Sequence, residues 1–328
     1  MKKTVAVIFG GKSTEHEISL ESGKSVVENL DKENFDVRAI LIEKNGEWLV
    51  NGERTTIEKA LEGVDIAFPV LHGSYGEDGT IQGLFEIYDL PYVGCGVIGS
   101  ALGMDKELSK EVWKEIGLPV VKFVTVRKSH FDHEIEKKLD ELRLPVFVKP
   151  SSLGSSIGII KIKEKNELKK AIGEAFTFGD KVVVEEAVED IRELCISWIG
   201  NEKPSHSLVG EARGENEFFD FEAKYIKSSE PTIPAKIDPE IVEEIIDVSK
   251  KAFEVIELRG ICRVDFLFDE GRRKLFVSEV NTMPGLTATS MCRRLWQATG
   301  LSYKDLLNKL VDFGFEEFDK KKRFRRLK

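Results

Sequence analysis

No apolar run in this chain approaches the roughly 20 residues that a membrane span requires. No Cys-x-x-Cys pair and no His-Glu-x-x-His motif marks a zinc site. The cysteines Cys95, Cys195, Cys262 and Cys292 lie far apart, and a chain of this size needs no disulfides, so buried thiols are expected. Residues 1–4 lead directly into the apolar residues 5–9, a stretch too short and too soon ended by glycine for a secretory signal. The cytoplasm is the location this implies. Positive charge is in deficit: a net charge of −9 works against binding a phosphate backbone, so neither nucleic acid nor a membrane is expected as a partner. The basic stretch at 320–328 lacks helical apolar spacing and reads as a solvated tail. Glutamine is nearly absent, occurring only at Gln82 and Gln297, while charged residues make up 33% of the chain. That balance resembles heat-adapted proteins, and it predicts a melting midpoint above the roughly 45–65 °C of mesophile domains.

With 328 residues the chain can bury a large core and is expected to divide into two or three domains. The first hundred residues read as a doubly wound α/β unit with a mostly parallel sheet. Residues 5–9, 37–42 and 65–70 carry apolar strand patterns, Gly10-Gly11 makes a tight turn, and 19–30 has a helical pattern. Ligands of such sheets sit at the carboxyl ends of the strands, which directs attention to the loops 10–17 and 72–80, where His16 and His72 lie. A helix at about 104–116 opens a second region. There, strand patterns at 146–149, 158–162, 181–185 and 194–199 surround a helix at about 165–176. A third region holds a helix capped by Asp238, with Pro239 at its first position and a core-facing stripe from Ile241 to Ile256. The boundaries expected are 1–103 for the α/β domain, 104–187 and 188–318 for two α+β units, and 319–328 for the tail.

The densest chemistry lies near the end. In Cys262-Arg263-Val264-Asp265-Phe266 apolar residues alternate with Arg263 and Asp265, and Leu275, Val277, Glu279 and Asn281 are expected to share one face of the next strand. Centring the turn on residue 272 pairs Asp265 with Glu279 and Arg263 with Asn281. Two facing carboxylates repel unless a cation lies between them. Oxygen-only donors suit magnesium or manganese rather than zinc; a solvated charged sheet face is the plainer alternative. Residues 150–158, directly after Lys149, form a glycine and serine loop whose backbone amides can approach an anion, although a flexible hairpin connection would look the same. It is not a Walker loop, because no helix follows with a lysine after the last glycine. Glu185-Glu186 ends one apolar strand and Arg192-Glu193 precedes another, so a carboxylate there could hold a ribose diol or an amino group. The aromatic-rich segment 218–225 either packs on the core or serves a site.

Five motifs in order resemble the D-alanine-D-alanine ligase family, over residues 5 to about 312. They are Gly10-Gly11-Lys12-Ser13-Thr14-Glu15-His16, Leu71-His72-Gly73 with Gly76-Glu77-Asp78-Gly79-Thr80, Val148-Lys149-Pro150 with Gly154-Ser155-Ser156, Glu222-Ala223-Lys224-Tyr225, and Glu279-Val280-Asn281-Thr282-Met283-Pro284-Gly285. The resemblance implies the ATP-grasp fold: two α+β subdomains with ATP between them, behind an N-terminal α/β domain. It implies ATP-dependent ligation of two D-alanines through an acyl phosphate, for peptidoglycan precursors. Positioning and charge neutralisation matter more in such a reaction than covalent catalysis. On the same resemblance, Asp265, Glu279 and Asn281 would hold two magnesium or manganese ions. Lys106, Lys149 and Lys224 would contact phosphates, with the loop from Ser151 to Ser156 closing over them. Glu185 would read adenine and Glu193 the ribose. Glu15 would hold the ammonium of the first D-alanine, with His72 near its carboxyl group. Ser290 and the amide of Met291 would hold the second substrate's carboxylate. Arg263 and the amide of Gly285 would form an oxyanion hole, and Glu15, Ser155 and Tyr225 a hydrogen-bonded triad under a lid. A monovalent cation is an optional further cofactor, and a homodimer is the expected assembly. The chain departs from the family pattern at Phe219 and Phe221, where tyrosine is common, and in the variable-length stretch 186–193. The alternatives are another ATP-grasp carboxylate-amine ligase, such as a D-alanine-D-lactate ligase, which usually lacks the counterpart of Tyr225, and a nucleotide-binding regulator without turnover.

Overall fold

The structure is a computed structural model and describes residues 2–155, 157–188, 191–212 and 230–324. Val5, Ala6, Val7 and Ile8 are all fully buried, and a strand apolar on both sides must be covered on both sides. That strand, β1 (Lys3–Gly10), pairs in parallel with β2 (Phe35–Ile42). An antiparallel hairpin of β3 (Trp48–Val50) and β4 (Glu53–Thr55) extends the sheet beyond β2, and β5 (Ile66–Pro69) lies parallel on the other side of β1. The hairpin has no long apolar run of its own, so only its pairing reveals it. Helices α1 (His16–Asn29), α2 (Ile57–Leu61), α3 (Thr80–Ile87) and α4 (Val97–Met104) follow the strands.

The helix expected at about 104–116 is α5 (Lys106–Glu115); Asp105 separates it from α4 and caps it, its carboxylate accepting the N–H groups of Glu107 and Leu108 at 3.1 Å each. An antiparallel sheet follows, built from β6 (Phe123–Arg127), β7 (Val146–Pro150), β8 (Ile160–Ile162) and β9 (Lys181–Glu186) in the order β6-β9-β7-β8. It carries α6 (His133–Asp140) and α7 (Lys165–Ala175). The last sheet comprises β10 (Ile191–Gly200), β11 (Ser205–His206), β12 (Gly210–Ala212), β13 (Gly260–Asp269) and β14 (Lys274–Asn281). Its order is β11-β10-β13-β14, with β12 also on β10. Helix α8 (Pro239–Val255) lays Ile241, Ile245, Val248, Ala252 and Phe253 against Leu194, Ile196, Trp198, Val264 and Phe266, one face of that sheet. Two helices close the chain, α9 (Met291–Ala298) and α10 (Tyr303–Phe324).

Linear boundaries do not capture the end of the chain. Leu306, Leu307, Leu310 and Val311 of α10 share one buried cluster with Val5, Val7, Ile66 and Phe68, so the last helix covers the first sheet. Residues 319–324, expected to begin a solvated tail, continue α10 instead. Lys320 meets Glu202 at 2.9 Å and Lys321 meets Glu86. The ion pairs and the apolar turns upstream propagate the helix where apolar spacing has already ceased.

Candidate active site

Strands β13 and β14 bring the charged hairpin together in the expected register, with Asp265 opposite Glu279 and Arg263 opposite Asn281. Nearer the turn the register differs: Phe266 lies opposite Val277 and Phe268 opposite Leu275. Ser278 is therefore the extra residue of a β-bulge, which reverses the side-chain alternation on either side of it. Leu275 and Val277 do not share a face with Glu279 and Asn281 as expected. They are buried in the core with Val280, while Glu279 and Asn281 stand on the opposite, partly open face. Without the bulge, strict alternation would put the whole set on one side.

On that face Arg263 and Asp265, each 21% exposed, form a bidentate pair, Nε to Oδ1 and Nη2 to Oδ2, both at 2.7 Å. Desolvation weighs against the guanidinium charge, and the Asp265 carboxylate more than offsets it, pushing the Arg263 pKa up. The Asn281 carboxamide oxygen accepts the N–H of Met283 at 3.0 Å. Among the described residues no group of three or more His, Cys, Asp or Glu side chains is disposed around a metal position. The candidate set is instead two carboxylates and one carboxamide on adjacent strands, a hard-oxygen set of the kind magnesium takes.

Lys106, at the start of α5, joins this face to the glycine loop: its ammonium donates to the carbonyl of Leu153 at 2.7 Å and lies 3.7 Å from Glu279. The loop itself is anchored by Asp105, which accepts the hydroxyls of Ser151 at 2.9 Å and Ser152 at 3.3 Å. Lys149 is ion-paired with Glu185, which lies opposite Phe147 on the β7–β9 ladder. Glu185 is 1% exposed, and its second oxygen faces the ammonium of Lys110 at 3.3 Å. Burial alone would raise its pKa, but the two ammonium groups outweigh it and hold the carboxyl at about 2.

From the N-terminal domain, Glu15 reaches the same region. The hydroxyl of Ser155 donates to its carboxylate, and Ser155 sits at φ 53°, a left-handed conformation that costs about 1 kcal/mol and persists only when surrounding contacts hold it. The Glu15 carboxylate also lies against Gly73, where a Cβ would stand 2.6 Å from Oε2 on a backbone with φ +74°. Beyond β14, a Cβ on Gly285 would stand 2.7 Å from the Oγ of Ser290, the residue that precedes α9. The Ser290 hydroxyl accepts the N–H of Thr287 at 3.0 Å, which holds the turn.

Family models described as "D-ala D-ala ligase N-terminus" and "D-ala D-ala ligase C-terminus" match residues 4–62 with 51–95, and 112–312. The chain belongs to the D-ala D-ala ligase family. Among its relatives, a D-alanine--D-alanine ligase of Thermoanaerobacter sp. (strain X514) is 41% identical over 354 residues, covering 98% of both chains. One from Solibacter usitatus is 41% identical over 322 residues at the same coverage. The solved D-alanine-D-alanine ligase from Coxiella burnetii superposes with a TM-score of 0.88 at 30% identity, over 99% of this chain and 97% of that one. The VanG D-Ala:D-Ser ligase from Enterococcus faecalis gives 0.85 at 34%, over 96% and 100%. These full-length matches give this ligase chain the family's fold, an N-terminal α/β domain followed by two ATP-grasp subdomains.

Within this ligase fold the other expected site residues make contacts with the protein itself. His72 is buried and both its ring nitrogens are used: Nδ1 faces the carbonyl of Met283 at 3.1 Å, and Nε2 faces the hydroxyl of Ser22 at 2.9 Å. A carbonyl can only accept, so Nδ1 carries a proton toward Met283. His72 thereby ties the first domain to the 281–285 segment. Ser151 is 1% exposed and its hydroxyl is turned to Asp105. The Glu185 side chain is enclosed by lysines, while Glu193 is half-buried opposite Leu267. Ser156, Lys224 and Tyr225 lie outside the described residues. The sequence reading missed Asp105 and Lys110. The only signal available was their place in Met104-Asp105-Lys106 and four residues after Lys106.

Proposed function

We propose that this chain joins two D-alanines in an ADP-forming reaction that supplies peptidoglycan precursors. The observation that carries it is one connected run of contacts, Glu15 to Ser155, then Leu153 to Lys106 to Glu279. It links an ammonium-holding carboxylate, a phosphate-type loop and the oxygen-donor face into a single site. Glu15, between Gly73 and the glycine loop, takes the ammonium of the first D-alanine and aims its carboxylate at the γ-phosphate. Lys106 and Lys149 hold the phosphates, joined by Lys224 on the family pattern, while the loop from Ser151 to Ser156 and Tyr225 exclude water from the acyl phosphate. Magnesium held by Asp265, Glu279 and Asn281 would supply charge neutralisation on the nucleotide's phosphate oxygens. Arg263 stands beside that cluster. With the Gly285 amide it stabilises the oxyanion formed when the second amine attacks, a charge present only in that step. Ser290 and the Met291 amide, at the start of α9, receive the second substrate's carboxylate, because a helix N-terminus presents N–H donors and a positive dipole end. The Glu185 backbone and Glu193 take the adenosine end. The divisions 1–103, 104–187 and 188–318 then correspond to the first-substrate, nucleotide and metal parts of the site.

The chain works in the cytoplasm as a homodimer in this reading; no described helix is long and apolar enough to cross a membrane. Ile87, 82% exposed, and Ile98, 56% exposed, on the neighbouring helices α3 and α4 give an apolar face such a dimer could cover.

The test is ADP release with D-alanine alone, L-alanine alone, and D-alanine with D-lactate or D-serine, measured side by side. Release with D-alanine alone, yielding the dipeptide, is expected. Release that requires D-lactate or D-serine reassigns the second substrate, and none under any condition removes the ligase reading. Light scattering after gel filtration checks the dimer.

A further inference from the structure

Lys110 has no part in the reaction as described, yet its side chain is only 2% exposed, a costly place for an ammonium group without partners. Two oxygens face it there: the carbonyl of Ser278, which accepts from it at 3.1 Å, and Glu185 Oε2, its ion-pair partner at 3.3 Å. Each belongs to a different half of the site. Glu185 is also the partner of Lys149, the lysine that precedes the glycine loop. Ser278 is the unpaired residue of the bulge that turns Glu279 outward while Val277 stays in the core. A bulged residue is left unpaired in the strand ladder, and here an ammonium group donates to its carbonyl. Lys106, four residues earlier and so on the same side of α5, lies 3.7 Å from Glu279 itself. One helix face thus touches both the bulge and the carboxylate that the bulge presents.

Resting on the reaction proposed above, we infer that Lys110 is a positioning residue that fixes the β13–β14 bulge relative to the Lys149–Glu185 pair, so that the metal-binding carboxylates and the phosphate-binding lysine keep one spacing. It touches neither substrate nor nucleotide and acts through Glu185 and Ser278. The claim is a coupling between two half-sites, and it separates from plain structural support. Loss of support lowers the folded fraction and with it the maximal rate, leaving half-saturation values unchanged.

The experiment is steady-state ADP release by the full chain and by Lys110→Met, titrating ATP, magnesium and D-alanine in turn, beside a thermal melt. Lys149 still neutralises Glu185 in that variant, so a cooperative melt is expected. The half-saturating ATP and magnesium concentrations should each rise about tenfold, the scale seen when an outer-shell partner of a ligand is lost. That for D-alanine should stay within about twofold, since no contact of Lys110 reaches its subsite. Unchanged values for ATP and magnesium overturn the inference whatever happens to the rate, and so does a shift in only one of them. Should Lys110→Met give no cooperative melt, Lys110→Arg decides. The planar fork of arginine cannot reproduce an ammonium seated between two acceptors, so both values should rise at least about threefold, and unchanged values overturn the inference. The parent chain separates this inference from the reading beneath it. If the parent releases no ADP with D-alanine, the reaction assignment fails. Lys110 is then judged by calorimetric binding of magnesium-ADP, which Lys110→Met should weaken about tenfold and which, if unaltered, overturns its role.

Discussion

Two charge clusters lie at either end of Lys106 and Lys110, and they differ in access. The Arg263, Asp265, Glu279, Asn281 face is partly open, with Glu279 38% exposed. The Lys110, Glu185, Lys149 cluster is closed, its Glu185 side chain 2% exposed. An open cluster can exchange its internal pairs for a ligand's charges, since water and side chains can rearrange around it. A closed one has already committed its charges to each other, because an unpaired buried ion is too costly to leave. Similar residues are therefore assigned different work: in the proposed reaction the first face meets ligands, while the enclosed Lys110–Glu185 contact fixes distances and leaves Lys149, at the edge of the cluster, for the phosphates.

The sharpest way to break this comparison is to neutralise one carboxylate in each cluster. Glu279→Gln should cut turnover at least about a hundredfold while leaving the melting midpoint within about 2 °C; near-normal ADP release would refute the metal assignment and erase the contrast. Arg263→Lys should cost about a hundredfold in the maximal rate, the scale for a lost oxyanion donor, since one ammonium cannot replace the bidentate fork. Product formation from a chemically supplied acyl phosphate should fall equally if the later step is the one affected. Glu185→Gln should show the reverse pattern. Two ammonium groups left facing each other in the interior cost on the order of 3 kcal/mol of stability, read by denaturant unfolding, with a smaller loss of rate.

The same pair makes a pH prediction. Glu185 is held at about 2 against an ordinary 4.5. A carboxyl whose folded value lies below its unfolded one stabilises fully above pH 4.5 and progressively less as pH falls toward 2. Parent stability should therefore drop by about 3 kcal/mol more than that of Glu185→Gln across this window, followed by unfolding curves at stepped pH. A parallel decline of the two proteins would mean that the closed cluster does not matter to folding. The smallest effect is expected at Gly285→Ala, whose Cβ would press on Ser290 Oγ from 2.7 Å. Roughly a tenfold fall in the specificity constant for the second D-alanine is expected, from misplacement alone.

Much of the site could be read from residue types. The Asp265–Glu279 register follows from alternation and turn length, and the glycine loop from composition next to Lys149. The faces of Leu275 and Val277 could not be read. A single bulged residue reverses alternation without leaving a mark in the local sequence, and Ser278 is an ordinary strand residue until its carbonyl meets Lys110. Lys110 stayed hidden for a related reason: an amphipathic helix normally exposes its lysines, and only the approach of Glu185 on β9 and Ser278 on β14 encloses this one. His72 was visible as a histidine in a strand-end loop, but its use by Ser22 and Met283 depends on residues 50 and 211 positions away.

Residue order alone carried most of the long strands and helices, the alternation that sets carboxylates against an arginine, and the ordered motifs of the family, because propensity, spacing and side-chain chemistry are local properties. Tertiary structure alone decided that α10 returns to cover the first sheet, that the bulge at Ser278 splits β14 between core and site, and that Glu185 is enclosed while Glu279 stays open. Those outcomes depend on which surfaces become buried together. Burial decides which charges stay open to exchange and which are committed to one another, and it is a property of the packed chain rather than of any stretch within it.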